Sequence, residues 1–368
     1  MDLKNIEPTT IIGNNVRVTA DEVQLGCNVQ IGDNVTINAR KIQLADNVFI
    51  DRDVFIQANN LEIGYESRIE ARCRIAGMGG PADFIRIGEQ TLLAHDTKLL
   101  VPIAVIGDYT VIHNHCLLNG QQQMVIGHNV WVGQNCVLNS EEHLTIGNNV
   151  GIGAYSSIYT HGYFGDLLEG CQVFKIAPVT LEDDVWILGC YNIISPGVTL
   201  GKKALVLTGA NVTKDVLANH TVGGSPARDL TDRIVPYRDV SIAEKYKLMQ
   251  TFTLEFLDKV HPGNYKETDG GFFVNAANGS YSIIFTPEVS PDTKLPENRP
   301  LIIFTQSYKL SRNPDRVTIF DLGKRMYTRT RGRAEVQILR FLRSYRARFV
   351  PADQPCVSIP PLLSINSR

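Results

Sequence analysis

Apolar positions between residues 12 and 230 recur with a period that fits neither a helix nor an ordinary strand. An aliphatic residue, usually followed by glycine, stands at Leu25, Leu44, Ile63, Ile87, Ile106, Ile126, Ile146, Leu181 and Leu200. The steps between them are 19, 19, 24, 19, 20, 20, 35 and 19 residues. Within a step, aliphatics return every sixth residue: Ile106, Ile112, Leu118, then Ile126, Val132, Leu138, then Ile146, Ile152, Ile158. A helical face repeats at about 3.6 residues and a half-buried strand at about 2. Six within roughly nineteen describes a triangular coil with three short faces, each sending one aliphatic inward. Gly107, Asn129, Gly133, Asn149 and Gly153 fall at the corners, where turn-forming residues are expected and bulky ones are not. Successive coils pair as parallel strands about 4.8 Å apart, and none can bury its core alone. The predicted fold is therefore a parallel β-helix from about Ile12 to Leu230.

Two steps exceed the period. The 24-residue step contains Gly77-Met78-Gly79-Gly80-Pro81, a turn-rich excursion. The 35-residue step carries an extra loop from about His161 to Pro178. Long loops on rigid scaffolds often build binding sites, and a neutral surface insertion is the alternative.

After Pro226 the period stops. Ile242, Tyr246, Met249, Phe252, Phe256 and Val260 recur at helical spacing. Strand-like runs follow at 271–276, 281–286, 301–305 and 316–320, and a last helix is expected over 333–348. This is a small α+β region, which makes two domains of the 368 residues: 1–235 and 236–368. Charge divides the same way. Residues 231–368 hold 21 Lys and Arg against 14 Asp and Glu, while residues 1–230 hold 15 against 24. Nine of those cations lie between Lys324 and Arg348, against one acid, Glu335. A helix packed on its own domain accounts for Val336, Leu339, Leu342 and Tyr345 on one face. An acidic glycan, a lipid-linked sugar phosphate or an anionic membrane surface is the functional alternative for the arginines. Nucleic acid is not expected, because no motif and little aromatic interleaving accompany the basic face.

No apolar run approaches 18 residues and the start lacks a secretory pattern, so a cytoplasmic location is expected, with the inner face of the membrane as a possible site of contact. Seven cysteines without a Cys-x-x-Cys pair argue against a disulfide framework and a zinc knuckle. Cys116 and Cys136 occupy matching repeat positions and are expected to be stacked core thiols. His95, His113, His115 and His128 lie near one another in the repeat. They lack the three-ligand convergence that zinc requires, so no metal is expected.

The repeat resembles that of the hexapeptide-repeat acyltransferases, over residues 12–215. Within that family it looks most like the bacterial sugar O-acetyltransferases of polysaccharide synthesis. Its most diagnostic stretches are Val179-Thr180-Leu181-Glu182-Asp183-Asp184-Val185-Trp186-Ile187, Ser195-Pro196-Gly197-Val198-Thr199-Leu200-Gly201, Val212-Thr213-Lys214-Asp215-Val216 and Gly223-Gly224-Ser225-Pro226-Ala227-Arg228. The resemblance implies a left-handed coil, a homotrimer with sites between chains, acetyl-CoA as co-substrate and a sugar or glycan acceptor. It implies CoA contacts from Trp186, Gly189, Thr208, Gly209, Lys214 and Arg228, the last two pairing with phosphates. For Trp186, simple packing is the competing role, and for Lys214 and Arg228, solvated surface charge. The chain departs from the family at Leu188-Gly189-Cys190, where glycine usually follows the Trp-Ile pair directly, and at Leu207, a common glycine position.

The family's general base is a histidine on a loop leaving the coil, and Thr160-His161-Gly162 matches it. A neutral imidazole can take a proton from a hydroxyl and then hold it. The repeat itself predicts a partner: position 161 is 15 past Ile146, and 15 past Ile126 is Glu141, one coil below. Glu141 is thus the expected orienting carboxylate, with Glu142, Asp166 and Glu169 as alternatives. The same base would serve an amino-sugar N-acetyltransferase. A non-catalytic β-helix scaffold, with His161 a solvated loop residue, is the reading from a different class.

Overall fold

The computed structural model describes residues 7–359, apart from 164, 278, 291–292, 294–298, 310–315 and 345–346. Each coil is three short strands separated by tight corners. One coil comprises Met124–Ile126, Trp131–Val132 and Val137–Asn139, and the next comprises Leu144–Ile146, Gly151–Ile152 and Ser157–Ile158. They pair in parallel and in register, Ile126 with Ile146, Val132 with Ile152 and Leu138 with Ile158. The inward aliphatics therefore form three continuous ladders. Ile112, Val132, Ile152 and Ile187 are among the fully buried rungs of one of them. The fold is mainly β, a parallel β-helix followed by an α+β unit, as the periodicity predicts.

The corners differ from expectation in one respect. Many corner residues adopt a left-handed backbone, and Asn34, Asn129 and Asn149 are of the expected type. Tyr109, His115, Tyr155 and Tyr191 adopt it too. A bulky side chain is tolerated there because the corner backbone donates to the coil below, as Tyr155 N–H does to Gln134 O at 2.9 Å. That bond offsets the roughly 1–2 kcal/mol cost of the left-handed conformation. The glycines just after each aliphatic answer a different constraint. A Cβ on Gly127 would lie 2.5 Å from the backbone carbon of Gly147 in the next coil.

The 35-residue step is an insertion outside the coil. Ile146 pairs directly with Leu181 across it. The solenoid ends where Thr221–Gly223 pairs antiparallel with Arg228–Asp229. Cys116 and Cys136 are buried, and each thiol donates to a carbonyl of the following coil, Gly133 and Gly153.

The chain separates into two compact units, the second running from Arg238 to Pro355; Cys356 and the described residues after it group with the first unit and not with the expected 236–368 domain. The second has a seven-stranded mixed sheet with helices α1, Ile242–Val260, and α2, Arg333–Ser344. A capping box of Ser241 and Glu244 starts α1. Its buried stripe is Met249, Thr253, Phe256 and Leu257, whereas Ile242 and Val260, expected on the apolar face, are exposed. All four expected strands occur. Three short ones, Tyr265–Thr268, Met326–Tyr327 and Val350–Pro351, lack an alternating pattern and were not anticipated. The apolar face of α2 is occupied: Val336, Ile338, Leu339 and Leu342 are buried within the unit. That face has no side chains left for insertion into a lipid surface, so contact with an acidic partner would rest on the arginines alone. Tyr345 and Arg346 of the expected helix lie outside the described residues. Among the described residues no helix is long and apolar enough to cross a membrane.

The ladder packing sets a clear energetic expectation. Ile152→Ala should lower unfolding stability by about 2–5 kcal/mol, the range for buried large-to-small changes. Ile11→Ala, at an exposed terminal strand, should change it by less than about 0.5 kcal/mol. Urea titration followed by circular dichroism measures both.

Candidate active site

His161 sits where the chain leaves the solenoid. Ser157 and Ile158 still pair in register with Val137 and Leu138 below. Beyond them the chain bends outward. Residues His161–Tyr163 pair antiparallel with Phe174–Ile176, closing the insertion at its root. The amide of Ala177 adds a bond to Thr160 O at 3.0 Å. The base of the loop, and with it the backbone of His161, is thereby fixed by sheet hydrogen bonds although the loop itself faces solvent.

The half-buried imidazole of His161 meets Asn139, not Glu141. Its Nδ1 lies 2.8 Å from Asn139 Oδ1. The same oxygen accepts from Thr160 Oγ1 at 3.0 Å and from the Glu141 backbone N–H at 3.2 Å. The Asn139 amide nitrogen donates to Asn119 O one coil further down, at 3.3 Å. A backbone N–H can only donate, so the atom facing Glu141 N must be the carboxamide oxygen. His161 Nδ1 then carries the proton, and the basic lone pair is on Nε2. Thr160, fully buried, completes the network by accepting from the Glu142 N–H at 3.0 Å.

The expected carboxylate partner is thus corrected. Glu141 is on the same edge of the coil as His161, but its side chain forms no hydrogen bond or ion pair among the described residues. The twenty-residue rule aligns backbones within strands. At position 161 the chain has already turned out of the ladder, and the ring folds back over Asn139. The alternative carboxylates act locally. Glu142 Oε1 accepts from the His143 N–H at 2.9 Å, and Asp166 Oδ1 caps Leu168 N at 2.7 Å. The residue that sequence reasoning missed had a visible signal. Leu-Asn recurs at 118–119 and 138–139, in register, one step before the corner.

The other candidates fall on two edges of one chain. Lys214 follows Asn211–Val212, which pairs with Ile193–Ile194, which pairs with Ser157–Ile158. It is therefore two coils above His161 on the same edge, and exposed. Gly189, Thr208 and Gly209 share a different corner, where Gly209 N–H donates to Cys190 O at 3.0 Å. A Cβ at Gly189 or Gly209 would meet nothing within 4 Å, so the backbone there opens directly on solvent. Trp186 lies on the face leading to that corner. Its ring covers Gly151, where a Cβ would come within 2.5 Å of it. Arg228 is exposed in the closing strand of the same face. Among the described residues, no group of three or more His, Cys, Asp or Glu could hold a metal ion.

No family model matches the chain. The galactoside O-acetyltransferase of Escherichia coli (strain K12) is 27% identical over 99 residues, 27% of this chain and 44% of that protein. The 2,3,4,5-tetrahydropyridine-2,6-dicarboxylate N-acetyltransferase of Staphylococcus aureus is 48% identical over 52 residues, 14% of this chain and 21% of that protein. Over these short stretches the chain is similar to curated acetyltransferases. It spans under half the length of these curated relatives. Among solved structures, a hexapeptide-repeat acetyltransferase of Vibrio cholerae O1 biovar eltor, complexed with acetyl coenzyme A, is 22% identical. That likeness covers 42% of this chain and 72% of the other, with a TM-score of 0.29.

Within this hexapeptide-repeat protein the tautomer of His161 can be tested directly. Long-range ¹H–¹⁵N correlation spectra should show His161 protonated on Nδ1 in the neutral form. Asn139→Ala removes the acceptor and should shift the ring toward the Nε2–H form. A wild-type ring protonated on Nε2 would contradict the network.

Proposed function

We propose that the protein transfers an acetyl group from acetyl-CoA to a hydroxyl of a sugar or polysaccharide precursor, with His161 as general base. The observation that carries this reading is the Asn139–His161 bond, which puts the basic lone pair on Nε2. Acetyl-CoA supplies an activated acyl carbon as its thioester. His161 Nε2 takes the proton of the acceptor hydroxyl as that oxygen bonds to the acyl carbon. The carbon–sulfur bond breaks, and His161 returns the proton to the departing sulfur. Asn139 is neutral, so it fixes the ring and its tautomer without supplying a counter-charge. Thr160 holds Asn139 in turn.

The residues suited to the co-substrate fit it chemically. The open backbone at Gly189 and Gly209 leaves room for an extended arm to approach, and Lys214 and Arg228 are exposed cations suited to phosphates. They lie on two edges of one chain, which is the arrangement expected if a site forms between neighbouring chains. The insertion supports that assembly. Leu168 is 95% exposed and Leu167, Val173 and Phe174 are exposed beside it, an apolar surface that a second copy would cover. We therefore propose a homotrimer, for which light scattering after gel filtration should return three times the chain mass.

The N-acetyltransferase relative keeps an amine acceptor as the second reading, since the same base serves both. A panel of sugars and amino sugars in a CoA-release assay distinguishes them. His161→Ala should lower turnover by about 10²–10⁴, the usual worth of a general base. Asn139→Ala should cause a smaller loss, because Nε2 survives but its orientation does not. Activity of His161→Ala within threefold of wild type removes His161 from the mechanism. A chain that shows no thermal stabilisation by CoA would instead favour a non-catalytic scaffold.

A further inference from the structure

The second unit contains a cavity of about 720 Å³ that the acetyl-transfer reading does not use. It lies at one end of the seven-stranded sheet, where Leu301–Tyr308 and Val317–Asp321 begin. The end of α1, residues 275–277 and 279–281, and the start of α2 complete its walls. Small-molecule sites typically measure about 300–1,000 Å³. We propose that this cavity binds a small anionic sugar, one bearing a phosphate or a carboxylate.

Three features of the lining carry the proposal. First, its cations are Arg316 and Arg333, both exposed at the rim, and its acid is Glu335. Arg316 makes no ion pair among the described residues, so its guanidinium offers bidentate hydrogen bonds to an anion. Arg333 opens α2, whose N-terminus adds partial positive charge beside it.

Second, Glu335 is 2% exposed, and its bonds are one-sided. Oε2 accepts from Thr318 Oγ1 at 2.8 Å, from Thr330 N at 2.6 Å and from Thr330 Oγ1 at 2.5 Å. Oε1 accepts from none of the described residues. At the wall of a cavity that oxygen can accept from a sugar hydroxyl, which is a donor.

Third, His261 and Tyr281 are buried and share a 3.0 Å bond between Nε2 and the phenol oxygen. Burial lowers the His261 pKa below its usual value and raises that of Tyr281. Both are neutral near pH 7 and present a polar, uncharged wall. Asn264, Asn275 and Ser280 extend it, while Ala276, Ala277 and Pro300 supply apolar surface. Uncharged hydrogen-bonding groups beside a cationic rim suit a hydroxylated body with one anionic end.

Isothermal titration of the full chain tests this, with glucose 1-phosphate, glucuronate, glucose and inorganic phosphate as probes. At least one anionic sugar should bind about tenfold or more tightly than glucose and than phosphate, consistent with a charge-assisted bond added to hydroxyl recognition. Whichever of the two binds tells a phosphate source from a carboxylate one. Arg316→Asn, which suits the left-handed φ of 62° at that position, should weaken binding about tenfold or more. Arg333→Gln should weaken it likewise, and His161→Ala should leave it unchanged. The proposal fails if neither anionic sugar outbinds glucose and phosphate, or if both arginine variants bind like wild type. It also fails if His161→Ala abolishes binding, which would place the ligand on the solenoid.

Discussion

In-register parallel pairing between coils is the constraint on which the solenoid depends. Each backbone amide in a strand donates to a neighbouring coil, so the chain must rise by one strand spacing, about 4.8 Å, every turn. Trp131 N bonding Val150 O and Gly151 N bonding Val185 O, both at 2.9 Å, are two links of that chain. The inward aliphatics then stack without gaps, because each is held directly over its predecessor. Glycine is required where coil backbones approach too closely for a side chain, as at Gly127. An insertion is tolerated only where it leaves the pairing untouched, which Ile146 and Leu181 achieve across the 161–178 loop.

The candidate site inherits its geometry from that stacking and then departs from it. Asn119 and Asn139 are ladder partners, and their side chains are ordered by the repeat. His161 is one step beyond the ladder, positioned by the sheet that closes the loop. The contact between them joins a repeat position to an insertion. The Asn139 carboxamide meets three groups at its oxygen and donates from its nitrogen to Asn119 O. It can set which imidazole nitrogen bears the proton, but it cannot stabilise the imidazolium by charge as a carboxylate would.

The second unit is organised by different physics. Phe285, Phe304, Phe320 and Tyr327 stack across neighbouring strands with centroids 5.2, 4.9 and 5.8 Å apart. This aromatic ladder runs along one face of the sheet, and α2 buries its own apolar stripe within the unit. Arg331, Arg333 and Arg340 are consequently surface groups around a folded core, whereas Arg329 is largely buried beside Asp353. Their chemistry is directed by what the core leaves open.

Periodicity in the sequence determined the solenoid, the place of its insertions and the end of the coil at about residue 230. Those features follow from local rules repeated many times, so a single chain carries enough signal to read them. The helices of the second unit were legible for the same reason, and its short strands were not, having too few residues to express a period. The choice of Asn139 over Glu141 was decided only by tertiary structure. Both residues are polar, both lie on the correct edge, and both are within two positions of the predicted height. What separates them is the outward bend after Ile158, a property of how the loop's two ends pair. The cavity around Glu335 is likewise invisible in one dimension, since residues 260 to 337 converge there only once the sheet has formed.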